Sequence, residues 1–577
     1  MKMKKLLALG LAASMTLAMC ACGSGDSGSS AGSGDSKSSA QESQPQEETG
    51  TQEGESQSSE QTAGSESGFP LEEPVTIKAF IVQLPGVVEL EQNTVFQDLE
   101  AYTNVNFDLT LVPADGASEK LNLMLASDEY PEIIIGASIL SNQDLEKYGI
   151  EEQIFMPLND LIDQYGVNIK ERWAEHPNWE EQMKSSDGNI YGIPSVDSGG
   201  EGHGDCSYKM WMNTEWLKAV NKEMPTTTDE FRDVLMAFKN EDPNGNGIAD
   251  EIPLTGAAGT WAAEPYLFLL NAFGYFNTNY YYVKDGTVQS ILDQDYLKEG
   301  LQYVHELYTD GLIDPASLTQ DESQMSAVGN NEGAIIAGTA SCGHIGMFVD
   351  INNAERYNQY EIMMPLKGSG GYQAIPYNTQ SSVSGATFVI TDVCEHPEIA
   401  IQIADLFCAE EWSVRAQVGK QRENWDVSDG TKTGMDGVTP AKYKYLTYKT
   451  QAAADQSVIN WDHTLRLLEP NWKNLFEVDG DIMDPTNYEA RLYADTVKLK
   501  PYAADVDMVP PLTFVGDDGD TYSRISTAVK DYAGNAIVEF ITGTRDIDAD
   551  WDSYLADLDK VQYQEMLSLI QKAIDAQ

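Results

Sequence analysis

The chain has little positive charge. Its 36 Lys and Arg stand against 92 Asp and Glu, a formal net charge of −56. That balance excludes a nucleic-acid partner, because a phosphate backbone needs a basic face. Such acidity keeps a secreted chain soluble and says little about its fold. Cysteine is scarce too, with 6 in 577 residues. Two lie near the start, while Cys206, Cys342, Cys394 and Cys408 are far apart and make no CxxC. A disulfide framework and a zinc site are excluded on size and spacing; a single bridge stays open, and free buried thiols are the favoured expectation. No run of about 20 apolar residues suits a spanning helix. GxSxG, HExxH and P-loop patterns are missing. His203 in "EGHGD" and His344 in "SCGHIG" stand in glycine-rich loops with no second catalytic motif, and both read as surface residues.

What is present begins with "MKMKKLLALGLAASMTLAMCACGSG". Lysines, a short apolar run and small residues make a secretory signal peptide over residues 1–22. The cysteines look like a bacterial lipobox in either of two registers. Cys22 follows small Ala21 and is favoured for lipidation. Cys20 follows bulky Met19 and is the alternative. Residues 23–68 are Ser, Gly, Gln and Glu with almost nothing to bury. They read as a flexible solvated tether. This layout places a body of two or more cores, from residue 69 onward, above a membrane surface.

The body opens with strand-like "VTIKAFIV", helical "TVFQDLEAYTNV", strand-like "VNFDLTLV", helical "SEKLNLMLAS" and the apolar "PEIIIG". That alternation predicts a parallel α/β layer. Strands are also expected in "NIYGIPSV", "IPLTG", "GAIIAG", "YEIMMPL" and "VSGATFVIT". "YKMWMNTEWLKAV" reads as a strand feeding a helix. In "TTTDEFRDVLMAFKNED", Thr227 and Glu230 have capping-box spacing, and Phe231, Val234, Leu235 and Phe238 share one helical face. The chain ends in helices.

The stretch "NEDPNGNGIADEIP" places Asp242, Asn244, Asn246 and Gly247 at positions 1, 3, 5 and 6 of a calcium loop. Ile248 falls at position 7 and Asp250 at position 9. Pro253 replaces the final glutamate, and strand-like sequence follows, so this is no EF-hand. Read alone, the stretch is either an oxygen-lined cation loop or an Asx-rich turn.

Together with the lipobox and tether, "LASDEYPEIIIG", the segment from Pro225 to Gly256, "ATFVIT...HPEIAIQIADLF" and "FITGTRDIDADWDSYLADLDKVQ" resemble the extracellular solute-binding proteins of carbohydrate ABC importers. The nearest branch is the calcium-containing one that includes alginate-oligosaccharide binders. The resemblance implies an α/β, two-lobed, periplasmic-binding-protein-like fold of maltose-binding-protein type, with hinge crossovers and a ligand cleft. It implies lobe 1 at residues 69–200 and 375–415, and lobe 2 at 201–374 and 416–577. It further implies a structural Ca2+ at residues 242–251, with Asp242, Asn244, Asn246, Asp250 and Glu251 as side-chain ligands and Ile248 as a backbone ligand. The implied partners are an oligosaccharide, ABC permease subunits and the membrane, for a lipid-anchored monomer on the outer face of a Gram-positive cell. No catalysis is implied. The rival readings are a surface polysaccharide-acting enzyme and a carbohydrate adhesion or sensor module.

Sugars present apolar C–H faces ringed by hydroxyls, so their sites combine aromatic platforms with planar polar side chains. Trp211, Trp261, Trp425 and Trp461 stand in loop-like or crossover settings and are the candidate platforms. Asn378 and Gln380 in "IPYNTQSS" are candidate polar contacts, and Arg466 is a candidate partner for an acidic sugar. Trp173, Trp216, Trp412 and Trp551 sit in helical patterns and read as core.

Overall fold

Val75–Gln83 is rich in β-branched and aromatic residues, and Ala79 to Val82 are buried without alternation. A strand covered on both faces reads this way. In the computed structural model it lies at the centre of a four-stranded sheet. It pairs in parallel with Val105–Pro113, Val75 opposite Val105, and with Ile133–Leu140, Ala79 opposite Ile133. Thr94–Thr103 and Ala117–Ala126 are the connecting helices. The Asn93 side chain accepts from the N–H groups of Val95 and Phe96 and starts the first of them. The expected parallel layer gains one antiparallel strand, Ala386–Ile390, on Ile133–Leu140. That strand returns from a distant part of the chain instead of through a helical crossover.

The structure describes residues 68–577 apart from 84–89, 114–115, 198–204, 379–381, 384, 447–471, 510–511, 515–516 and 577. The leader with Cys20 and Cys22, and the tether up to residue 67, lie outside the described residues.

A second sheet has Met210–Asn213 in the middle, antiparallel to both Thr339–Ser341 and Tyr360–Ile362. Helix Thr228–Asn240 buries Phe231, Val234, Leu235 and Phe238 in the same core. Its cap differs from the expected reciprocal box. Thr227 Oγ1 accepts from Glu230 N–H, but the Glu230 carboxylate reaches one residue further, to the N–H and hydroxyl of Thr226. Thr226 offers two donors where Thr227 would offer one. "IPLTG" forms isolated bridges, Ile252 to Ala337, Leu254 to Ile313 and Thr255 to Ala340, because the run is shared between two partner segments. "GAIIAG" is likewise reduced to the bridge at Ala337. The terminal helices Asp517–Thr542, Trp551–Lys560 and Tyr563–Asp575 complete this core. Tyr554 Oη donates to the Leu292 carbonyl, and Tyr563 Oη accepts from the Ile291 N–H.

The two cores define two α/β lobes. One core uses residues between Ile77 and Ile193 and between Val383 and Ala416. The other uses residues between Cys206 and Ile375 and between Tyr488 and Ile570. The described stretches between them are residues 194–197 with Asp205, and residues 376–378 with Ser382. These passages are bonded to one another. Val196–Asp197 pairs antiparallel with Ser382–Val383, and Asn378 N–H donates to the Asp205 carbonyl at 2.7 Å. After Ala416 the chain builds a small third core of Val414, Val418, Trp425 and Phe476. Cys206, Cys342, Cys394 and Cys408 are free thiols, and the first two and the last are buried. No helix among the described residues is long and apolar enough to cross a membrane.

Candidate ligand-binding face and cation loop

Loop 256–265 is closed by its own backbone and by a neighbour. Ala257 N–H donates to the Ala263 carbonyl, Ala263 N–H to the Thr260 carbonyl, and Ala258 N–H to the Gln320 carbonyl. The Glu264 carboxylate accepts from the Gly259 N–H at 3.1 Å. This fixed loop presents Trp261, which is 48% exposed, a high value for so large an apolar ring. One part of the indole lies against Gly343, where any Cβ would collide with the ring. Trp261 is therefore a supported aromatic surface with a large open area.

Beside it stands His344, ring centroids 6.2 Å apart. His344 is partly buried rather than open to solvent, correcting the surface reading of its glycine-rich loop. Its Nδ1 is 2.7 Å from Tyr488 Oη, which also accepts from the Gly346 N–H. Burial pushes the His344 pKa down to about 4, and Lys209 and Lys473 press the same way against the pull of Glu489. The imidazole is thus neutral near pH 7. Lys209 is fully buried and donates to the Gly343 carbonyl at 3.2 Å. Lys473 pairs with Glu489 at 2.7 Å. His344 was visible in the sequence only as a loop histidine. Tyr488, Glu264 and the Lys473–Glu489 pair carried no sequence signal, because each belongs to a different segment or to an ordinary helical pattern.

The other sequence candidates separate. Trp211 is wholly buried in the central strand of its sheet and donates its indole N–H to the Cys342 carbonyl at 3.1 Å. It is core, and the crossover setting read for it is corrected: the strand begins after the crossover ends. Trp425 is 2% exposed and packs in the third core, with its N–H on the Gly419 carbonyl. It offers no platform either. Asn378 is exposed beside the crossover. Trp461, Arg466 and Gln380 lie outside the described residues, as does His203. Trp173, Trp216 and Trp551 are buried as read, and Trp412 is partly buried.

The loop after helix Thr228–Asn240 turns on itself. Asp242 and Gly247 have positive φ, and Gly247 at +73° shows why position 6 is glycine. Asp242 accepts from the N–H groups of Asn246 and Gly247, and the Asn244 and Asn246 amides donate to Asp250. Glu251 Oε1 is buried and has no hydrogen-bond partner. Burial, with Asp250 and Asp242 nearby, raises the Glu251 pKa. A buried acceptor without a donor is costly unless something supplies positive charge. Among the described residues no three acidic, His or Cys side chains converge as a ready metal site. The donor set here mixes carboxylates, two amides and a carbonyl, which suits a hard cation.

The profile of the family described as bacterial extracellular solute-binding protein matches residues 89–412. The chain belongs to that family. This solute-binding protein is 29% identical over 529 residues to the fructooligosaccharide ABC transporter substrate-binding protein FusA of Streptococcus pneumoniae serotype 4, spanning 88% of this chain and 91% of FusA. The structure of FusA in complex with kestose superposes with a TM-score of 0.75 at 26% identity, over 87% of this chain and 99% of that one. A FusA structure described as an EF-hand mutant gives 0.74 at 27% identity, with the same coverage. Lipoprotein LipO of Bacillus subtilis is 24% identical over 414 residues, 70% of this chain and 76% of LipO. The alginate-binding protein AlgQ2, solved without calcium ion, shares the fold at a TM-score of 0.66 and 22% identity, over 87% of this chain and 98% of that one.

Proposed function

We propose that this solute-binding protein captures an oligosaccharide between its lobes and delivers it to a membrane permease of an ABC importer. The observation that carries the reading is Trp261: a half-open indole, backed by Gly343 and held on a closed loop. Stacking against a sugar's C–H face needs such a rigid surface, and one built in advance loses little entropy on binding. The carbohydrate named for FusA supports the same class. Asn378, beside the bonded crossovers, is a polar contact in this reading, and Trp461, Gln380 and Arg466 remain candidates. The lobes are taken as 69–200 with 375–415 and 201–374 with 416–577. Closure follows from whatever extra affinity the ligand has for the closed form.

We further infer that residues 242–251 hold a structural Ca2+. Asp242, Asn244, Asn246, Asp250 and Glu251 would give side-chain oxygens and Ile248 its carbonyl. The orphaned Glu251 oxygen is the support. The ion would neutralise the three carboxylates and pin the helix end to the run that leads into the Trp261 loop. The protein acts as a binder, not a catalyst, anchored through Cys22 (or Cys20) on the outer face of a Gram-positive membrane, as a monomer.

The test is thermal unfolding of residues 69–577 with a panel of neutral and acidic oligosaccharides, followed by recovery of the sugar. A ligand of the native state raises the midpoint by mass action. One sugar class raising it and coming back intact is the expected result. Cleaved sugar would replace the reading with a polysaccharide-acting enzyme. No shift with any sugar would remove the carbohydrate assignment.

A further inference from the structure

The charge around Trp261 narrows the ligand class, given the carbohydrate reading. Glu264 stands three residues along the same closed loop. One of its oxygens is taken by the Gly259 N–H, and the other has no partner among the described residues. The side chain is partly buried, and burial raises its pKa. Tyr208, Tyr266 and Tyr280 feel its charge. Among the described residues, the cations beside His344 are engaged: Lys209 is buried on the Gly343 carbonyl, and Lys473 is paired with Glu489. His344 is held by Tyr488 and partly buried, and its lowered pKa leaves it without positive charge near pH 7.

We propose that the subsite floored by Trp261 takes a neutral sugar ring and rejects a uronate, with the free oxygen of Glu264 accepting from sugar hydroxyls and repelling a sugar carboxylate. A carboxylate reads a diol well, because it has acceptor sites to spare and makes charge-assisted bonds. Two like charges in a partly desolvated site repel strongly enough to discriminate by tenfold or more.

The experiment measures the affinity of residues 69–577 for 1-kestose and maltotriose as neutral probes and trigalacturonate as the acidic one. It uses wild type and Glu264→Gln at low and high salt. Glutamine keeps an oxygen for Gly259, so the loop keeps its bond. Wild type should bind a neutral trisaccharide and bind trigalacturonate at least about tenfold more weakly, with the gap shrinking in salt. Glu264→Gln should narrow that gap several-fold by weakening the neutral sugar and admitting the acidic one. Trigalacturonate binding as tightly as the neutral sugars would overturn the proposal while leaving the carbohydrate reading in place. So would a gap that Glu264→Gln leaves unchanged. Binding of neither class withdraws both.

Discussion

The backbone N–H of Asn378 donates to the carbonyl oxygen of Asp205 at 2.7 Å. These residues stand on the two passages between the lobes, so one bond ties the outgoing chain to the returning one. The antiparallel pair of Val196–Asp197 with Ser382–Val383 does the same further along. The passages therefore bend together rather than separately. Asn378→Pro removes the donor, and a lost bond of this kind costs about 1 kcal/mol. Its unfolding midpoint and its sugar affinity should both fall. Asn378→Ala keeps the backbone bond, so its stability should change by no more than about 0.5 kcal/mol. Its affinity should fall, because the proposed contact is the side chain. Equal effects from the two variants in chemical denaturation and calorimetric titration would refute this division.

Trp261 and Gly343 should act as a unit. Trp261→Ala removes the open aromatic surface and should weaken sugar binding by about 10- to 100-fold, about 1.4 to 2.8 kcal/mol for a large aromatic contact. The fold should hardly notice, since half the ring is already in water. Gly343→Ala forces the indole off its support and should weaken binding in the same direction. In a double mutant the two losses should not add. Additive losses by titration calorimetry would show that Gly343 serves something other than Trp261.

Chelation should destabilise the protein. With Ca2+ at 100 times its dissociation constant, the bound ion adds about 2.7 kcal/mol. EDTA should lower the midpoint accordingly and added Ca2+ should restore it. Glu251→Gln should weaken ion binding while leaving the chelated protein at least as stable as wild type, because one of three crowded carboxylates is gone. A midpoint indifferent to EDTA would leave the stretch as an Asx-rich turn.

The partly buried His344 predicts a pH dependence. Its pKa lies near 4 in the fold against 6.5 for the free group, set by burial and by Lys209 and Lys473, with Glu489 opposing. Between those values the unfolded chain takes up a proton that the folded one refuses. Stability is therefore full above pH 6.5 and falls as pH drops toward 4, by roughly 3 kcal/mol at 1.36 kcal/mol per unit. His344→Gln should remove that part. Urea unfolding of both proteins from pH 7.5 to 4 checks it: the stability of wild type minus that of the variant should decline across the window, and a flat difference would mean His344 is not buried neutral.

Much of this protein was settled by local sequence. The alternation from Val75 to Gly136 made a parallel layer, because buried parallel strands need unbroken β-branched runs and their crossovers need helices. The turn from Asp242 to Glu251 was legible because such a loop is contiguous and its spacing is its geometry, and the ion proposed for it rests on the same local spacing. Tertiary structure decided what is not contiguous. Trp211 and Trp261 looked alike in the sequence, each a tryptophan read in a loop-like or crossover setting. One became the centre of a sheet and the other a half-open face, and only long-range pairing to Ala340 and Ile362, or packing on Gly343, tells them apart. The same holds for His344, which glycine neighbours marked as surface but Tyr488, 144 residues away, helps bury. Hydrophobic period reports which side of an element faces a core. It does not report which distant segments meet over that side, and the proposed ligand face is made of such meetings.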